Sequence, residues 1–125
     1  MLIYEWDSLK KYLFVRAFAI SIEFFLKDHI DGPTCVGFDK KRFVTGGNDR
    51  IIYVYDLKEG RKLGKLEGHK GRIRCLQLYD NRLCSGSWDM TVIIWSMRRF
   101  EQIATLYYTH ESVSCLYFDK NYLLV

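Results

Sequence analysis

Short apolar runs alternate with polar turn residues through most of the chain. An apolar run that begins at Ile73 ends at the turn-forming pair Asp80 and Asn81. The next run ends at a second polar turn, Ser87 to Asp89, and is followed by a stretch rich in β-branched residues. This spacing predicts four short strands joined by tight turns, at Ile73–Tyr79, Arg82–Gly86, Met90–Ser96 and Gln102–Tyr107.

The same pattern recurs along the chain at a fixed interval. The segment TCVGFDKKRFVTGGNDRIIYVYDL (34–57) aligns with RCLQLYDNRLCSGSWDMTVIIWSM (74–97) without a gap. The same shift, applied again, aligns 114–125 with 74–85, so that Cys115 falls on Cys75 as Cys35 does. Self-similarity at a fixed period indicates a repeated structural unit. The first unit therefore has predicted strands at Cys35–Phe38, Arg42–Gly46, Ile51–Tyr55 and Lys62–Leu66.

Four short strands in every repeated unit are typical of a β-propeller blade. We predict an all-β partial propeller, an open arc of about two and a half four-stranded antiparallel blades. The blades are expected at 26–66, 67–107 and, truncated, 108–125. Residues 1–25 are expected to be the end of an earlier blade or a linker before the propeller. Because propellers close with about four to eight blades, we expect the chain to be part of a longer protein.

Several motifs in register resemble the WD repeat. The family pattern is Gly-His, then Ser-Gly-Ser-x-Asp, then Trp-Asp. The second unit has Gly-His at 68–69, Ser-Gly-Ser-Trp-Asp at 85–89 and Trp-Ser at 95–96. In this unit, Ser96 stands where the pattern has Asp. The departures in the other units are Asp28-His29, Thr109-His110 and Tyr55-Asp56.

The resemblance implies a hydrogen-bonded relay of His, Ser or Thr, Asp and Trp in each blade. Indole can only donate, a hydroxyl donates and accepts, imidazole bridges, and carboxylate accepts. A hydrolase built on Ser, His and Asp is the competing interpretation. The recurrence of the set in each unit disfavours it, so no catalytic residue and no enzyme activity are expected. The implied relay residues are His69, Ser85, Asp89 and Trp95 in one blade and His29, Thr45, Asp49 and Tyr55 in the other.

The resemblance also implies a binding face at the entrance to the innermost strands. Two arginines beside a tryptophan would give bidentate donors for phosphate or carboxylate next to an apolar ring. Ordinary surface packing of Arg74 and Trp88 is the alternative. The residues implied to line this peptide-binding face are Arg72, Arg74, Trp88, Asn48, Thr34 and Ser114.

A compact turn at Tyr79-Asp80 narrows the resemblance toward F-box/WD-repeat proteins, the substrate receptors of cullin-type ubiquitin ligases. In that family, an arginine at the position of Arg74 contacts phosphorylated degrons. This implies binding of an acidic or phosphorylated peptide, with ligase components recruited through regions absent from this sequence. At the position of Trp88, members of that family usually have Arg or Tyr, so this chain departs from the family there. The alternative is a general WD-repeat assembly scaffold with no role in ubiquitination.

Charge and composition add limits on partners. The net charge is +4, with basic residues in small separated clusters at 10–11, 40–42 and 98–99. Such dispersal indicates a mild preference for anions, and neither a nucleic acid nor a membrane is an expected partner. The apolar segment Tyr12–Leu26 is too short to span a bilayer and contains Arg16 and Glu23, so we predict a buried strand or helix.

Cysteine and histidine spacing completes the prediction. Cys35, Cys75 and Cys115 recur with the repeat, which favours equivalent core positions over disulfides. Buried free thiols are typical of a reducing, intracellular location, the cytoplasm or nucleus. The chain's histidines fall one in each successive unit and so belong to different blades. No metal site and no cofactor are therefore predicted.

Overall fold

A computed structural model describes residue 29 and residues 33–107, 112–113, 117–118 and 123–124. Within these residues all regular structure is β, and the predicted all-β partial propeller is confirmed. The predicted N-terminal segment, including Tyr12–Leu26, lies outside the described residues. The strands are β1 Pro33–Phe38, β2 Arg42–Gly47, β3 Ile51–Asp56, β4 Lys62–Glu67, β5 Ile73–Tyr79, β6 Arg82–Ser87, β7 Thr91–Ser96, β8 Glu101–Tyr107, β9 Tyr117–Phe118 and β10 Leu123–Leu124.

Two four-stranded antiparallel sheets form two blades, β1-β2-β3-β4 and β5-β6-β7-β8. Their registers are related by the repeat interval: Val36 lies opposite Thr45 in the first blade, and Leu76 lies opposite Ser85 in the second. The irregularities are equivalent as well, since the pairing of the third and fourth strands shifts register after Val54 and after Ile94. β9 and β10 pair as a separate two-stranded sheet.

The main hydrophobic core lies between the two blades. It contains Ile52 and Ile73, which are fully buried. Burying one such side chain stabilises the fold by about 1.5–3 kcal/mol. A second cluster repeats the first on the far side of β5–β8, with Cys84, Val92 and Val113 at the positions of Val44, Ile52 and Ile73. Successive interfaces therefore use the same positions in the repeat.

Two glycines allow the inner strands to approach each other. A Cβ atom on Gly46 would lie 2.5 Å from Cγ2 of Ile73. A Cβ atom on Gly86, the equivalent position in the second blade, would overlap Cγ1 of Val113. The sulfur atoms of Cys35 and Cys75 also lie against these glycines. Each glycine thus leaves the space that an apolar side chain of the next repeat fills.

The third strand of the second blade begins at Thr91, so the predicted start at Met90 is wrong. Met90 has a φ of 66°, and Arg50, its equivalent in the first blade, has a φ of 69°. These left-handed conformations place both residues in the tight turn between the second and third strands. A second equivalent pair, Gly60 and Phe100, has φ values of 68° and 56° in the last turn of each blade.

The cysteines within the described residues are free thiols. Burial raises the pKa of Cys35 to about 11, and burial raises the pKa of Cys84 to about 12. Both side chains are therefore neutral at physiological pH. Cys115 lies outside the described residues. The described part of the chain also contains no helix long and apolar enough to cross a membrane.

Candidate functional site

His69 lies at the centre of a hydrogen-bonded chain in the second blade. Its Nε2 atom is 2.7 Å from Oγ of Ser85, and its Nδ1 atom is 2.9 Å from Oδ2 of Asp89. The indole Nε1 of Trp95 donates to the same Ser85 oxygen at 2.7 Å. The structure thus brings together four residues from the loop before β5, from β6, from the following turn and from β7.

The chemistry of these groups sets the direction of each proton. The Trp95 indole can only donate, so Oγ of Ser85 accepts that bond and donates its own proton to Nε2 of His69. The carboxylate of Asp89 accepts from Nδ1 of His69. All of these hydrogen bonds can form when the imidazole of His69 is neutral. In agreement with this, burial lowers the pKa of His69 although its bond to Asp89 acts in the opposite direction.

Thr91 is a member of this network that sequence reasoning missed. Its hydroxyl donates to Oδ1 of Asp89 at 2.5 Å and lies 3.2 Å from Nδ1 of His69. The equivalent residue in the first blade is Ile51, so the repeat carried no signal for a polar residue here. Burial on its own would raise the pKa of Asp89. Hydrogen bonds from Thr91, the backbone of Lys70 and His69 have the larger combined effect, so the pKa of Asp89 is lowered.

A hydrogen-bonded chain in the first blade joins His29, Thr45 and Asp49, which were predicted for its relay. Nε2 of His29 is 2.8 Å from Oγ1 of Thr45, and its Nδ1 is 2.9 Å from Oδ1 of Asp49. Tyr55 is fully buried, and its ring stacks on Phe43 with centroids 4.7 Å apart. The Tyr55 ring therefore packs against β2, the strand that carries Phe43.

The order Ser85, His69, Asp89 matches the connectivity of a hydrolase triad. However, Ser85 is fully buried, and its oxygen already accepts from Trp95. A substrate carbonyl could not reach this oxygen without opening the blade. Among the residues that the structure describes, no cluster of His, Cys, Asp and Glu has a geometry that could hold a metal ion.

A second group of predicted site residues lies at the end of the blades where β5 begins. The guanidinium carbon of Arg72 lies 4.2 Å from the centroid of the Trp88 ring, and that of Arg74 lies 5.5 Å from it. Nε of Arg72 donates to Oδ1 of Asn48, in the first blade, at 2.6 Å. Trp88 is 49% exposed. We call these four residues the Arg–Trp surface.

Backbone bonds hold this surface in place. The backbone N–H of Trp88 donates to the carbonyl of Arg72 at 3.1 Å, which joins the β6–β7 turn to the segment before β5. Arg74 is exposed on β5 itself. The Trp88 ring thus lies beside two cations, one on β5 and one in the segment just before it.

Thr34 and Ser114 are the remaining residues predicted for the binding face. Thr34 lies next to β5, where its hydroxyl donates to the carbonyls of Ile73 and Gly46. The bond to Ile73 joins β1 of the first blade to β5 of the second blade. Ser114 lies outside the described residues. Of the residues predicted for this face, the structure therefore groups together those of the Arg–Trp surface.

Comparison with known proteins agrees with the two-blade architecture. Residues 21–56 and 60–96 each match the family model described as WD domain, G-beta repeat. Mitochondrial division protein 1 of Aspergillus oryzae is 38% identical over 76 residues, which are 59% of this chain and 12% of that protein. The protein of the same name from Pyricularia oryzae is 40% identical over the same shares of both chains. The chain thus spans 12% of the length of these curated relatives.

Solved structures give the same picture of the fold. The computationally designed Ika4 protein aligns with a TM-score of 0.69 and 30% identity over 74% of this chain and 57% of its own. The structure of U3-55K aligns with a TM-score of 0.67 and 21% identity, over 73% of this chain and 28% of its own. At 21% identity, the second likeness concerns the fold alone.

Proposed function

We propose a function that starts from the family of this chain, which belongs to the WD domain, G-beta repeat family. The chain is a protein-interaction scaffold, and its Arg–Trp surface binds an acidic or phosphorylated peptide. Repeats of this family imply a scaffold that binds other proteins. The proposal about the ligand rests on one observation, the two guanidiniums 4.2 and 5.5 Å from an exposed indole ring.

The charges of the two arginines support an anionic ligand. Neither Arg72 nor Arg74 forms an ion pair with a carboxylate of the described residues, and Arg74 is exposed. Arg72 uses Nε to bind Asn48, which leaves its two terminal nitrogens available. A guanidinium binds carboxylate or phosphate through a two-pronged contact, so these donors suit a dianionic group.

The tryptophan supports a peptide as the carrier of that charge. Large aromatic residues and arginines are enriched among the residues that dominate protein interfaces. Both cations lie within about 6 Å of the ring centroid, the range of cation–π attraction. This contact limits the positions that the long arginine side chains can adopt before a ligand arrives, which reduces the entropy lost on binding.

Two versions of this function differ in what the whole protein does. The curated relatives named above are mitochondrial division proteins, and this name supports a general assembly scaffold. The narrower version, a ubiquitin-ligase substrate receptor, draws support from Arg74, which stands where F-box/WD-repeat proteins are expected to contact a degron. In either version the free thiols of Cys35 and Cys84 support a reducing, intracellular location.

Fluorescence anisotropy with labelled peptide libraries tests the proposal. Three libraries would share the same degenerate flanks and differ at one fixed residue, which is serine, glutamate or phosphoserine. We expect the phosphoserine or glutamate library to bind more tightly than serine, and Arg74→Ala to weaken that binding by about tenfold, as for loss of a charged hydrogen bond. A preference for phosphoserine over glutamate would support the receptor version, and no preference would support the general scaffold.

Arg82→Ala is the matched control, because Arg82 is exposed at the opposite end of the same blade. It removes the same charge and should leave peptide binding within about twofold, since charges more than a Debye length of about 10 Å away are largely screened. Equal binding of all three libraries, or equal losses for the two variants, would contradict the proposal.

A further inference from the structure

The end of the blades opposite the Arg–Trp surface is formed by four turns. They lie at 39–41, 57–61, 80–81 and 97–100. Because β1–β8 have six or seven residues each, the turns of each sheet end at a similar level.

Hydrogen bonds join these turns into one surface. The backbone N–H of Leu57 donates to the carbonyl of Lys41 at 2.9 Å, and that of Met97 donates to the carbonyl of Asn81 at 2.8 Å. Each of these bonds links the two turns of one blade. Nη1 of Arg42 then donates to the carbonyl of Met97 at 2.9 Å, which joins the two blades.

Exposed cations are concentrated on these turns and the strand ends beside them. The carboxylates of Asp39 and Asp56 are half-buried and accept backbone N–H groups of their own turns at 2.7 to 2.9 Å. The exposed acidic residues at this end are Glu59, Asp80 and Glu101. The exposed basic residues, which we call the basic end, are Lys40, Lys41, Lys58, Arg61, Arg82, Arg98 and Arg99.

Few of these cations form ion pairs with carboxylates of the described residues, although acidic residues lie at the same end. Of the seven cations, Arg61 alone comes within ion-pair distance of a described carboxylate, that of Glu59 at 4.0 Å. Lys62, on the adjoining strand, is placed over the ring of Tyr53 at 4.6 Å and is not included. Gathering like charges on one surface is unfavourable unless an anionic partner offsets the repulsion.

We propose that the basic end docks the protein on the surface of an anionic lipid bilayer. Cations carried on turns of similar level, in two neighbouring blades, form a broad array. A plane of anionic headgroups can contact such an array at many points, whereas an extended peptide or a single nucleic acid strand follows one line across it. Tyr79, 40% exposed at the same end, is of the residue type enriched at the membrane–water interface.

Vesicle sedimentation with the full chain tests this proposal. The probes are vesicles of phosphatidylcholine alone and vesicles with about one-third phosphatidylserine. We expect binding to the anionic vesicles that weakens strongly when ionic strength is raised, since such attraction falls off within a Debye length. The variant R98Q/R99Q should bind these vesicles about ten- to thirtyfold more weakly, because each surface cation contributes a several-fold increase in partitioning.

The matched control is K65Q/K70Q, which removes two exposed lysines away from the basic end and gives the same net charge. It should reduce vesicle binding by no more than about twofold. The proposal is overturned if the anionic vesicles do not bind, or if both variants lose binding equally. Tighter binding of an oligouridylate or a polyglutamate peptide than of vesicles at the same ionic strength would also overturn it, in favour of another class of partner.

Discussion

The indole of Trp95 donates a 2.7 Å hydrogen bond to Ser85, whose hydroxyl is the acceptor that this buried ring requires. Ser85 in turn lies 2.7 Å from Nε2 of His69. One hydroxyl therefore satisfies two buried polar groups from two other elements. Because each bond fixes the next, this chain of contacts holds the loop before β5 against the sheet.

Ser85→Ala should destabilise the protein by about 2–4 kcal/mol, because it leaves two buried nitrogen atoms without partners. Urea denaturation followed by circular dichroism would measure the change. Ser96→Ala is the control, since Ser96 only accepts a 3.3 Å bond from an exposed backbone N–H. A change of less than about 0.5 kcal/mol in Ser85→Ala would contradict this role for the hydroxyl.

Stability should fall as the pH drops below 6.5, the ordinary pKa of histidine. The pKa of His69 is lowered in the fold by burial, so the unfolded chain binds the proton first. The stability from neutral His69 is therefore present above pH 6.5 and is lost as the pH falls toward the folded pKa. The lowered pKa of Asp89 acts in the same direction, with a further loss below 3.8.

Comparison with His69→Gln would isolate this effect. The free energy of unfolding of both proteins would be measured by urea titration from about pH 7.5 to about pH 5, which spans the ordinary pKa of histidine. The variant should be less stable at the upper end of this range and should show a shallower decline below pH 6.5. Parallel pH profiles would mean that the titration of His69 does not contribute.

Gly46→Ala should destabilise the interface between the blades by about 1–3 kcal/mol, as overpacking does. The added methyl group would lie 2.5 Å from Cγ2 of Ile73. The double variant Gly46→Ala/Ile73→Ala removes that atom, so its loss should be smaller than the sum of the two single losses. Strict additivity in thermal or urea unfolding would show that the two positions are not in contact.

Met90→Gly should raise stability by about 0.5 kcal/mol, because the relief of an unfavourable backbone conformation slightly exceeds the entropy cost of glycine. The left-handed φ of 66° at Met90 costs a non-glycine residue about 1–2 kcal/mol, and the greater entropy of glycine in the unfolded chain offsets part of the gain. Met90→Val should have the opposite effect, because a β-branched residue fits this conformation poorly. Melting temperatures would rank the three proteins, and a melting temperature of Met90→Val above that of Met90→Gly would contradict the assignment.

The sequence was informative wherever both repeats carry the same chemistry. Aligning the two units located most strand ends closely and predicted equivalent positions for Cys35 and Cys75. The structure confirms this and shows that the two cysteines lie opposite Gly46 and Gly86. Thr91 could not be found this way, because Ile51 occupies the same position in the other blade. Met90 reads as part of a β-branched run, and only its backbone conformation assigns it to the turn.

Charge is the property that the linear sequence represented least well. Lys41, Lys58, Arg82 and Arg98 are far apart along the chain, so no window of sequence reads as strongly basic. Antiparallel strands of similar length bring their turns to one end and gather these cations. The bond from Arg72 to Asn48 is likewise a product of folding, because it joins residues 24 positions apart in two blades.

The most direct test of the proposed function is the NMR signal of the tryptophan indole N–H groups. The chain has three tryptophans, and the signal of each can be assigned by substitution with phenylalanine. On titration with a phosphoserine peptide selected from the library above, the Trp88 signal should shift progressively while that of buried Trp95 stays in place. A Trp88 signal that does not move while the peptide binds would contradict the assignment of the Arg–Trp surface as the peptide site.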